Sequence, residues 1–249
     1  MYSFLKKVKK KGISFFKKIK IDNTITETYD FNKSNPLGNN GERVDIQMQM
    51  EFNFDKLDVY QKNHFKRYEF AKEIVNFGDV CGDFACGTGY GTVLISDKAK
   101  EVIGADLDSI VINSIKERYE KKTNVTFLNE NLLNLKFDMI FDTILSFETI
   151  EHFEEADINL LLKIFANSLK VNGKLVFSTP YMQEKSEAAM KLGFHLTFYI
   201  DENKIKGWLN EAGLKIESFK YQNYNTHIIE DDLEKKDFII CVAQKIIND

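Results

Sequence analysis

The stretch Asp83-Phe84-Ala85-Cys86-Gly87-Thr88-Gly89-Tyr90-Gly91 decides how the rest of the chain is interpreted. A short apolar strand is predicted before it, starting at Asp79, and Thr92-Val93-Leu94-Ile95 is typical of the first turns of a buried helix. Glycines permit a sharp turn and let a ligand lie against the backbone, while the helix N-terminus offers N–H groups. We therefore predict a ligand-binding turn between a strand and a helix.

A second acidic residue supports a ligand site at this turn. The stretch Glu101-Val102-Ile103-Gly104-Ala105-Asp106 is a predicted strand that ends in an acid, roughly 20 residues after the glycines. A carboxylate at the end of this strand accepts hydrogen bonds from a ribose diol. The two stretches together predict a site for a nucleoside-containing ligand.

The pattern resembles class I S-adenosylmethionine-dependent methyltransferases. Asp83 takes the acid position of the family's acid-x-Gly-x-Gly loop, Gly87 and Gly89 take two glycine positions, and Ala85 stands where the first glycine usually does. The resemblance implies S-adenosyl-L-methionine as the cofactor. The residues that it implies at the cofactor are Arg67, Asp83, Ala85, Cys86, Gly87, Gly89, Asp106, Leu107, Asn131, Leu132 and Phe147.

Strands and helices alternate through the rest of the chain, which predicts a parallel sheet. The expected fold is α/β, a doubly wound, seven-stranded, mostly parallel Rossmann-like sheet with an N-terminal helical cap. After the third strand, Asn131 stands where the family places the acid that meets the adenine amino group, and its carbonyl is able to accept that hydrogen bond. Leu107 and Leu132 are expected on either side of the ring, with plain core packing as the alternative.

The cap is predicted from residues upstream of the glycine turn. Gly41-Glu42-Arg43 and His64-x-x-Arg67-Tyr68 resemble the cap of a bacterial methyltransferase group associated with surface-glycan biosynthesis. This resemblance places Arg67 and Tyr68 on the cofactor or substrate side; simple packing of a helix on the sheet is the alternative. The predicted parts are an arm at 1–20, a linker and cap at 21–78, and the methyltransferase domain at 79–249 with a substrate-side insertion at about 181–200.

The fourth strand leads into Glu148-x-x-Glu151-His152, which brings two carboxylates and an imidazole within one turn. Such a group serves as an acid/base cluster, ligates a divalent ion, or caps and orients loops. It resembles the magnesium-binding segment of ubiquinone-pathway O-methyltransferases and also the same segment of metal-free relatives. A metal is not favoured, but Glu148, Glu151 and His152 would be its ligands.

Methyl transfer to a hydroxyl needs positioning and a base, and histidine titrates near neutrality. His152 and His195 are expected beyond the C-terminal ends of strands, where ligands bind in open α/β sheets. Together with Glu148 they are the predicted catalytic residues.

Charge is distributed unevenly along the chain. Residues 1–20 carry eight lysines and no acid, so the remaining 229 residues hold 26 basic and 38 acidic groups. This acidic body excludes nucleic acid as a partner. At 100° per residue the apolar side chains of the arm share one sector, which predicts either peripheral contact with an anionic membrane or a solvated arm. Three cysteines in or beside predicted strands indicate a reducing cytoplasm, with the inner membrane face as a second location.

Three functions agree with these patterns. The first is O-methylation of a sugar or other small precursor of a bacterial surface polysaccharide or capsule, including a phosphoramidate oxygen. The second is O-methylation of a quinone or another lipid-soluble ring, and the third is a non-catalytic cofactor-binding module. The acceptor is expected to be a small molecule or glycan precursor, and the sequence does not determine its identity or the oligomeric state.

Overall fold

The computed structural model describes residues 43–48 and 52–246. The predicted arm at 1–20 and the first half of the predicted linker lie outside these residues. All the described residues fall in one compact unit. Within them, no helix combines the length and the apolar character needed to cross a membrane.

A single mixed sheet forms the centre of the fold. Its strands lie in the order β3-β2-β1-β4-β5-β8-β6-β7. The pairs among β1 to β5 are parallel, and β8 is antiparallel to both β5 and β6. The strands are β1 (Val80–Phe84), β2 (Glu101–Asp106), β3 (Val125–Asn129), β4 (Phe141–Phe147), β5 (Leu169–Pro180), β6 (Leu214–Gln222), β7 (Ile229–Glu230) and β8 (Phe238–Lys245).

Helices cover both faces of this sheet, so the residues of β1, β2 and β4 are buried almost without interruption. Tyr68 of the first helix packs against Phe147 on one face, with ring centroids 4.9 Å apart. Phe84 projects from the other face and packs against Phe165 of the fourth helix, with centroids 5.2 Å apart. The helices are α1 (Val59–Ile74), α2 (Tyr90–Ser96), α3 (Ser109–Arg118), α4 (Glu155–Ser168), α5 (Glu187–Leu192) and α6 (Glu202–Glu211), with single 3-10 turns at Phe54–Lys56, Leu132–Asn134 and Ile150–His152. The predicted doubly wound α/β fold is confirmed.

Acidic N-caps set the start of three helices. Asp58, Asp108 and Asp201 each accept a hydrogen bond from a backbone N–H in the first turn of α1, α3 and α6. Helix α1 thus begins directly after Asp58 and ends before Val75, whose backbone is extended.

Two features of the sheet differ from the prediction. The sheet has eight strands rather than seven, because Ile229–Glu230 pairs with Tyr221 and Gln222 at its edge; a two-residue strand is too short to show a periodic pattern. In addition, Gly173 does not end a helix but lies inside β5. A Cβ there would come within 2.9 Å of the Lys170 carbonyl and 3.0 Å of the Phe141 carbonyl, so the glycine permits close approach of two strands.

The segment at 181–200, predicted as an insertion, contains α5 and otherwise irregular chain. The Leu196 and Thr197 N–H groups both donate to the Glu151 carbonyl, at 2.8 and 3.1 Å. These bonds attach the segment to the turn that follows β4, at the carboxyl ends of the parallel strands.

Candidate functional site

The turn after β1 has the backbone shape that its glycines predict. Gly87 and Gly89 have φ values of 51° and 73°, and Gly89 is the left-handed N-cap of α2. Ala85 is also left-handed, with φ 62°. The cost of alanine at this position therefore lies in its backbone conformation and not only in space, since a left-handed L-residue costs about 1–2 kcal/mol.

Asp106 joins the end of β2 to this turn. Its Oδ2 accepts a hydrogen bond from the Gly87 N–H at 2.9 Å, and its Oδ1 accepts one from the Asp108 N–H at 3.0 Å. The carboxylate is thereby fixed in the wall of a cavity.

The cavity has a volume of about 460 Å³ and extends from the glycine turn to the end of β4. It contains most of the predicted cofactor residues. Those that line it are Ala85, Cys86, Gly87, Asp106, Leu107, Asn131, Leu132 and Phe147. The predicted catalytic residues Glu148 and His152 line its other end.

Asp83 and Gly89 support the turn from behind instead of lining the cavity. Asp83 is buried, and its two oxygens accept hydrogen bonds from the Tyr68 and Thr92 hydroxyls at 3.0 and 2.5 Å. Burial raises the pKa of Asp83 to about 6 against the effect of these two bonds. A Cβ on Gly89 would lie 2.8 Å from the Phe127 ring, so this glycine allows α2 to pack closely.

Asn131 lines the cavity as expected, but its carbonyl oxygen already accepts the Leu133 N–H at 2.9 Å and caps the turn Leu132–Asn134. A second lone pair of the same oxygen is left for an adenine amino group. Leu132 is buried, whereas Leu107 is 71% exposed and extends along the rim.

Arg67 lies behind the cavity wall and not in it. Its guanidinium is fully buried, donates through Nε to Gln222 Oε1 at 2.8 Å, and stacks on the Phe238 ring. Its NH1 lies 3.4 Å from Glu148 Oε1, which also accepts the Ser178 hydroxyl at 2.6 Å. The cofactor contact of Arg67 stays a prediction; in this structure Arg67 forms an ion pair with the Glu148 carboxylate.

The predicted metal ligands are only partly brought together. Glu148 is turned toward Arg67 and Ser178, whereas Glu151, His152 and His195 each offer a ligand atom within 4.8 Å of the other two. The rings of His152 and His195 are 5.1 Å apart. Burial, followed by the charge of Glu148, raises the pKa of Glu151 well above its ordinary value. The group of three that lies close enough to share an ion is thus Glu151, His152 and His195, and the predicted trio Glu148, Glu151 and His152 stays a prediction.

Several cavity residues were not predicted as site residues. His64 lines the cavity from α1, and burial together with the nearby Arg67 lowers its pKa well below the usual value, so the imidazole is neutral near pH 7. His195, by contrast, is not among the residues that line it. The other unpredicted lining residues are Arg43, Val44, Thr88, Tyr90, Thr149, Phe153 and Phe194. Of these residues, only Arg43 and His64 belong to patterns that the sequence analysis singled out, namely Gly-Glu-Arg and His-x-x-Arg-Tyr.

The family comparison agrees with this geometry. A family model described as a methyltransferase domain matches residues 82–173, which span β1 to the first part of β5 and include the glycine turn and Asp106. This segment is therefore similar to a methyltransferase domain.

Curated relatives of the methyltransferase domain carry matching names. A probable S-adenosylmethionine-dependent methyltransferase of Mycobacterium tuberculosis is 33% identical over 96 residues, which cover 38% of this chain and 33% of the relative. An uncharacterized methyltransferase of Bacillus cereus is 26% identical over 147 residues, or 55% of this chain and 68% of the relative. The chain thus spans about a third of the length of the mycobacterial relative it matches.

Solved structures share the fold at low identity. N-methyltransferase NodS of Bradyrhizobium japonicum, in complex with S-adenosyl-L-homocysteine, has a TM-score of 0.59 at 15% identity over 77% of this chain and 90% of that one. A putative methyltransferase of Haloferax volcanii, in complex with the Trm112 activator, has a TM-score of 0.63 at 19% identity over 76% and 92%. These likenesses concern the fold alone.

Proposed function

We propose that this protein is an S-adenosylmethionine-dependent methyltransferase that methylates an oxygen of a small acceptor, namely a sugar or other small precursor of a bacterial surface polysaccharide, including a phosphoramidate oxygen. One observation carries the proposal. A single cavity joins the glycine turn and Asp106 to Glu148 and His152 at its other end.

The residues at the first end fit the cofactor. The left-handed turn at Gly87 leaves backbone open to a ligand, Asp106 is positioned to accept hydrogen bonds from a ribose, and Leu107 and Leu132 offer apolar contact to adenine. When bound, S-adenosylmethionine supplies a methyl group on a sulfonium. The chain's own contribution is to hold this group in line with the acceptor and to exclude water.

The other end is suited to an acceptor that must lose a proton. His152 Nδ1 lies 3.0 Å from the Phe194 carbonyl, and a carbonyl only accepts, so Nδ1 carries the hydrogen and Nε2 carries a lone pair. Glu148 is held by Arg67 and Ser178. We propose that Glu148 orients the acceptor and that His152, backed by His195, is required for its deprotonation.

Polar groups in the lining are compatible with a polar acceptor. Arg43 and His64, from the two stretches that resemble the glycan-associated cap, both line the cavity, as do Phe153 and Phe194, which offer apolar contact. Arg43 also forms an ion pair with Asp108 at 3.1 Å. We place the enzyme in the cytoplasm, where activated precursors of surface glycans are assembled.

Calorimetry with the purified full chain tests the cofactor end. Asp106→Ala should weaken S-adenosylmethionine binding by roughly 1–3 kcal/mol, because charge-assisted hydrogen bonds to the ribose are lost. Asp231→Ala removes an exposed acid whose side chain is 81% accessible and serves as the control. Absence of binding by the unaltered protein, or equal affinity of the Asp106 and Asp231 variants, contradicts the assignment.

Release of S-adenosylhomocysteine tests the acceptor end, with nucleotide sugars, sugar phosphoramidates and short-chain quinols as three sets of candidates. We expect turnover in one of the sugar sets, and His152→Ala should lower that turnover by roughly 100- to 10,000-fold with little change in cofactor affinity. Turnover of quinols alone, or near-normal turnover by the His152 variant, overturns the proposal.

A further inference from the structure

Two segments far apart in sequence meet beside the acceptor end. Glu151 and His152 belong to the 3-10 turn that follows β4, and His195 belongs to the segment at 181–200. The Leu196 and Thr197 N–H groups bind the Glu151 carbonyl and bring the segments together. The ligand atoms of the three side chains lie within 4.8 Å of one another. This spacing suits three ligands of one ion.

Both imidazoles are oriented from behind by oxygen acceptors. His152 Nδ1 lies 3.0 Å from the Phe194 carbonyl, and His195 Nδ1 lies 2.5 Å from the Gln183 side-chain carbonyl. Because these oxygens only accept, each Nδ1 carries a hydrogen, and in the neutral imidazole Nε2 is then the nitrogen with the lone pair that binds an ion. Histidines that bind metals are held in the same way, with the second ring N–H donated to a carbonyl or carboxylate.

The carboxylate of Glu151 has one oxygen left over. Its side chain is 1% exposed, and Oε2 accepts the Thr179 hydroxyl at 2.9 Å. Among the described residues Oε1 has no hydrogen-bond partner. A buried carboxylate oxygen without a partner costs free energy, and coordination to a cation removes that cost.

We propose that Glu151, His152 and His195 bind one first-row transition-metal dication, with Zn²⁺ as the preferred ion. Two imidazoles and one carboxylate are a ligand set used for zinc at catalytic sites, where a fourth position stays open. Mg²⁺ prefers oxygen ligands and is disfavoured by the two imidazoles. Glu148 does not take part, since its carboxylate is held by Arg67 and Ser178.

This inference rests on the proposed function only where it places the ion beside a methyl acceptor. His152 lines the cavity, so the ion would lie at the wall next to the acceptor, and His152 would then assist deprotonation as a ligand of that ion instead of as a free base. Metal binding itself is measured without cofactor or acceptor. A failure of the metal proposal therefore leaves the proposed methyl transfer standing, and the reverse also holds.

Titration of the chelator-treated full chain with Co²⁺ gives a direct readout, because bound Co²⁺ shows visible absorption bands that report its ligands. We expect one equivalent to bind, Zn²⁺ to displace it, and Mg²⁺ in large excess to leave the bands unchanged. His195→Ala and Glu151→Gln should lower the affinity for Co²⁺ at least about 100-fold, and Gln183→Ala about 10-fold or more through the loss of histidine orientation.

Matched controls are available in the same cavity. Glu148→Gln and His64→Ala alter a neighbouring carboxylate and a neighbouring imidazole, and both should retain one equivalent of Co²⁺ with unchanged bands. Should Glu151→Gln fail to fold, His195→Ala and Gln183→Ala still decide the matter. The proposal is overturned if the unaltered protein binds less than half an equivalent, if His195→Ala binds as tightly, or if His64→Ala loses as much affinity.

Discussion

Asp83 shows how a residue in a recognised motif acts through its neighbours. The acid-x-Gly pattern predicted it at the cofactor, but both of its oxygens are occupied by hydroxyls of Tyr68 and Thr92. Tyr68 lies on α1, fifteen residues upstream, and no spacing rule connects it to the turn. Asp83 therefore fastens the glycine turn to α1 and α2, and its effect on cofactor binding is indirect.

The titration of Asp83 leads to a prediction at this scale. Its pKa is raised to about 6 in the folded protein, so its contribution to stability is complete below the unfolded pKa and is lost as the pH rises through 6. Relative to Asp83→Asn, the unaltered protein should gain on the order of 2 kcal/mol of unfolding free energy between pH 7 and pH 4.5. Urea unfolding at both pH values measures this difference.

Asn at position 83 keeps the size of the side chain and does not titrate, which makes the comparison specific to one proton. Other acids titrate in both proteins and cancel in the difference. An equal change of stability with pH in the two proteins would show that the carboxyl ionises as it does in the unfolded chain.

Individual site residues could be predicted where the pattern is local. Asp106 and Gly87 lie in the cavity wall as their spacing predicts. The surroundings of Arg67 and His195 could not be predicted because their partners are remote in sequence. Gln222 and Phe238 contact the Arg67 guanidinium, and His195 of the segment at 181–200 lies beside Glu151 and His152. Periodicity reports the face on which a side chain lies, but not which distant side chain meets it.

At the scale of elements, the contact between α1 and α2 depends on one glycine. A Cβ on Gly91 would lie 2.1 Å from the Tyr68 ring, far inside any contact distance. Tyr68 also packs against Tyr90 and Phe147, with centroids 5.3 and 4.9 Å away. The third glycine of the turn thus allows close packing of the two helices.

We expect Gly91→Ala to destabilise the protein by about 3 kcal/mol and to weaken cofactor binding, because Tyr68 must move away from Asp83. Gly207→Ala is the matched control, since it lies in α6 with nothing within 4 Å of the added Cβ. That change should stabilise the protein by up to about 1 kcal/mol through helix propensity. Thermal unfolding and calorimetry of both variants measure these effects. Similar stability of the two would contradict the packing argument.

Strands β1 to β4 and helices α2 and α3 could be predicted because each is an apolar run between recognisable turns. Strand β7 and the early start of β5 could not. β7 has only two residues, and Asn172-Gly173, which resembles a helix end, is instead a place where β5 passes close to Phe141. Such features are determined by contact between strands rather than by local preference.

At the scale of the whole molecule, the predicted arm and the rest of the chain differ in the sign of their net charge. The eight lysines at 1–20 lie outside the described residues, and their role stays a prediction from sequence. Removal of residues 1–20 should leave cofactor affinity unchanged but lower binding to phosphatidylserine vesicles, since each lysine contributes about 1 kcal/mol at such a surface. Vesicle sedimentation together with calorimetry measures both properties.

A full chain with those lysines changed to glutamine is the control, because it keeps the apolar sector and loses the charge. It should behave as the truncated protein does, and high salt should weaken binding of the unaltered chain. If the truncated protein no longer folds, the arm belongs to the core and the prediction fails.

The contacts of α1 with the sheet limit the motions by which ligands can enter and leave the cavity. Swinging this helix outward would separate the buried Arg67 guanidinium from Glu148 and Gln222, and would break the bond from Asn63 to the Tyr224 carbonyl. A buried cation without its partners costs free energy, so outward motion of α1 is unfavourable. We therefore expect ligands to enter and leave the cavity while α1 keeps these contacts.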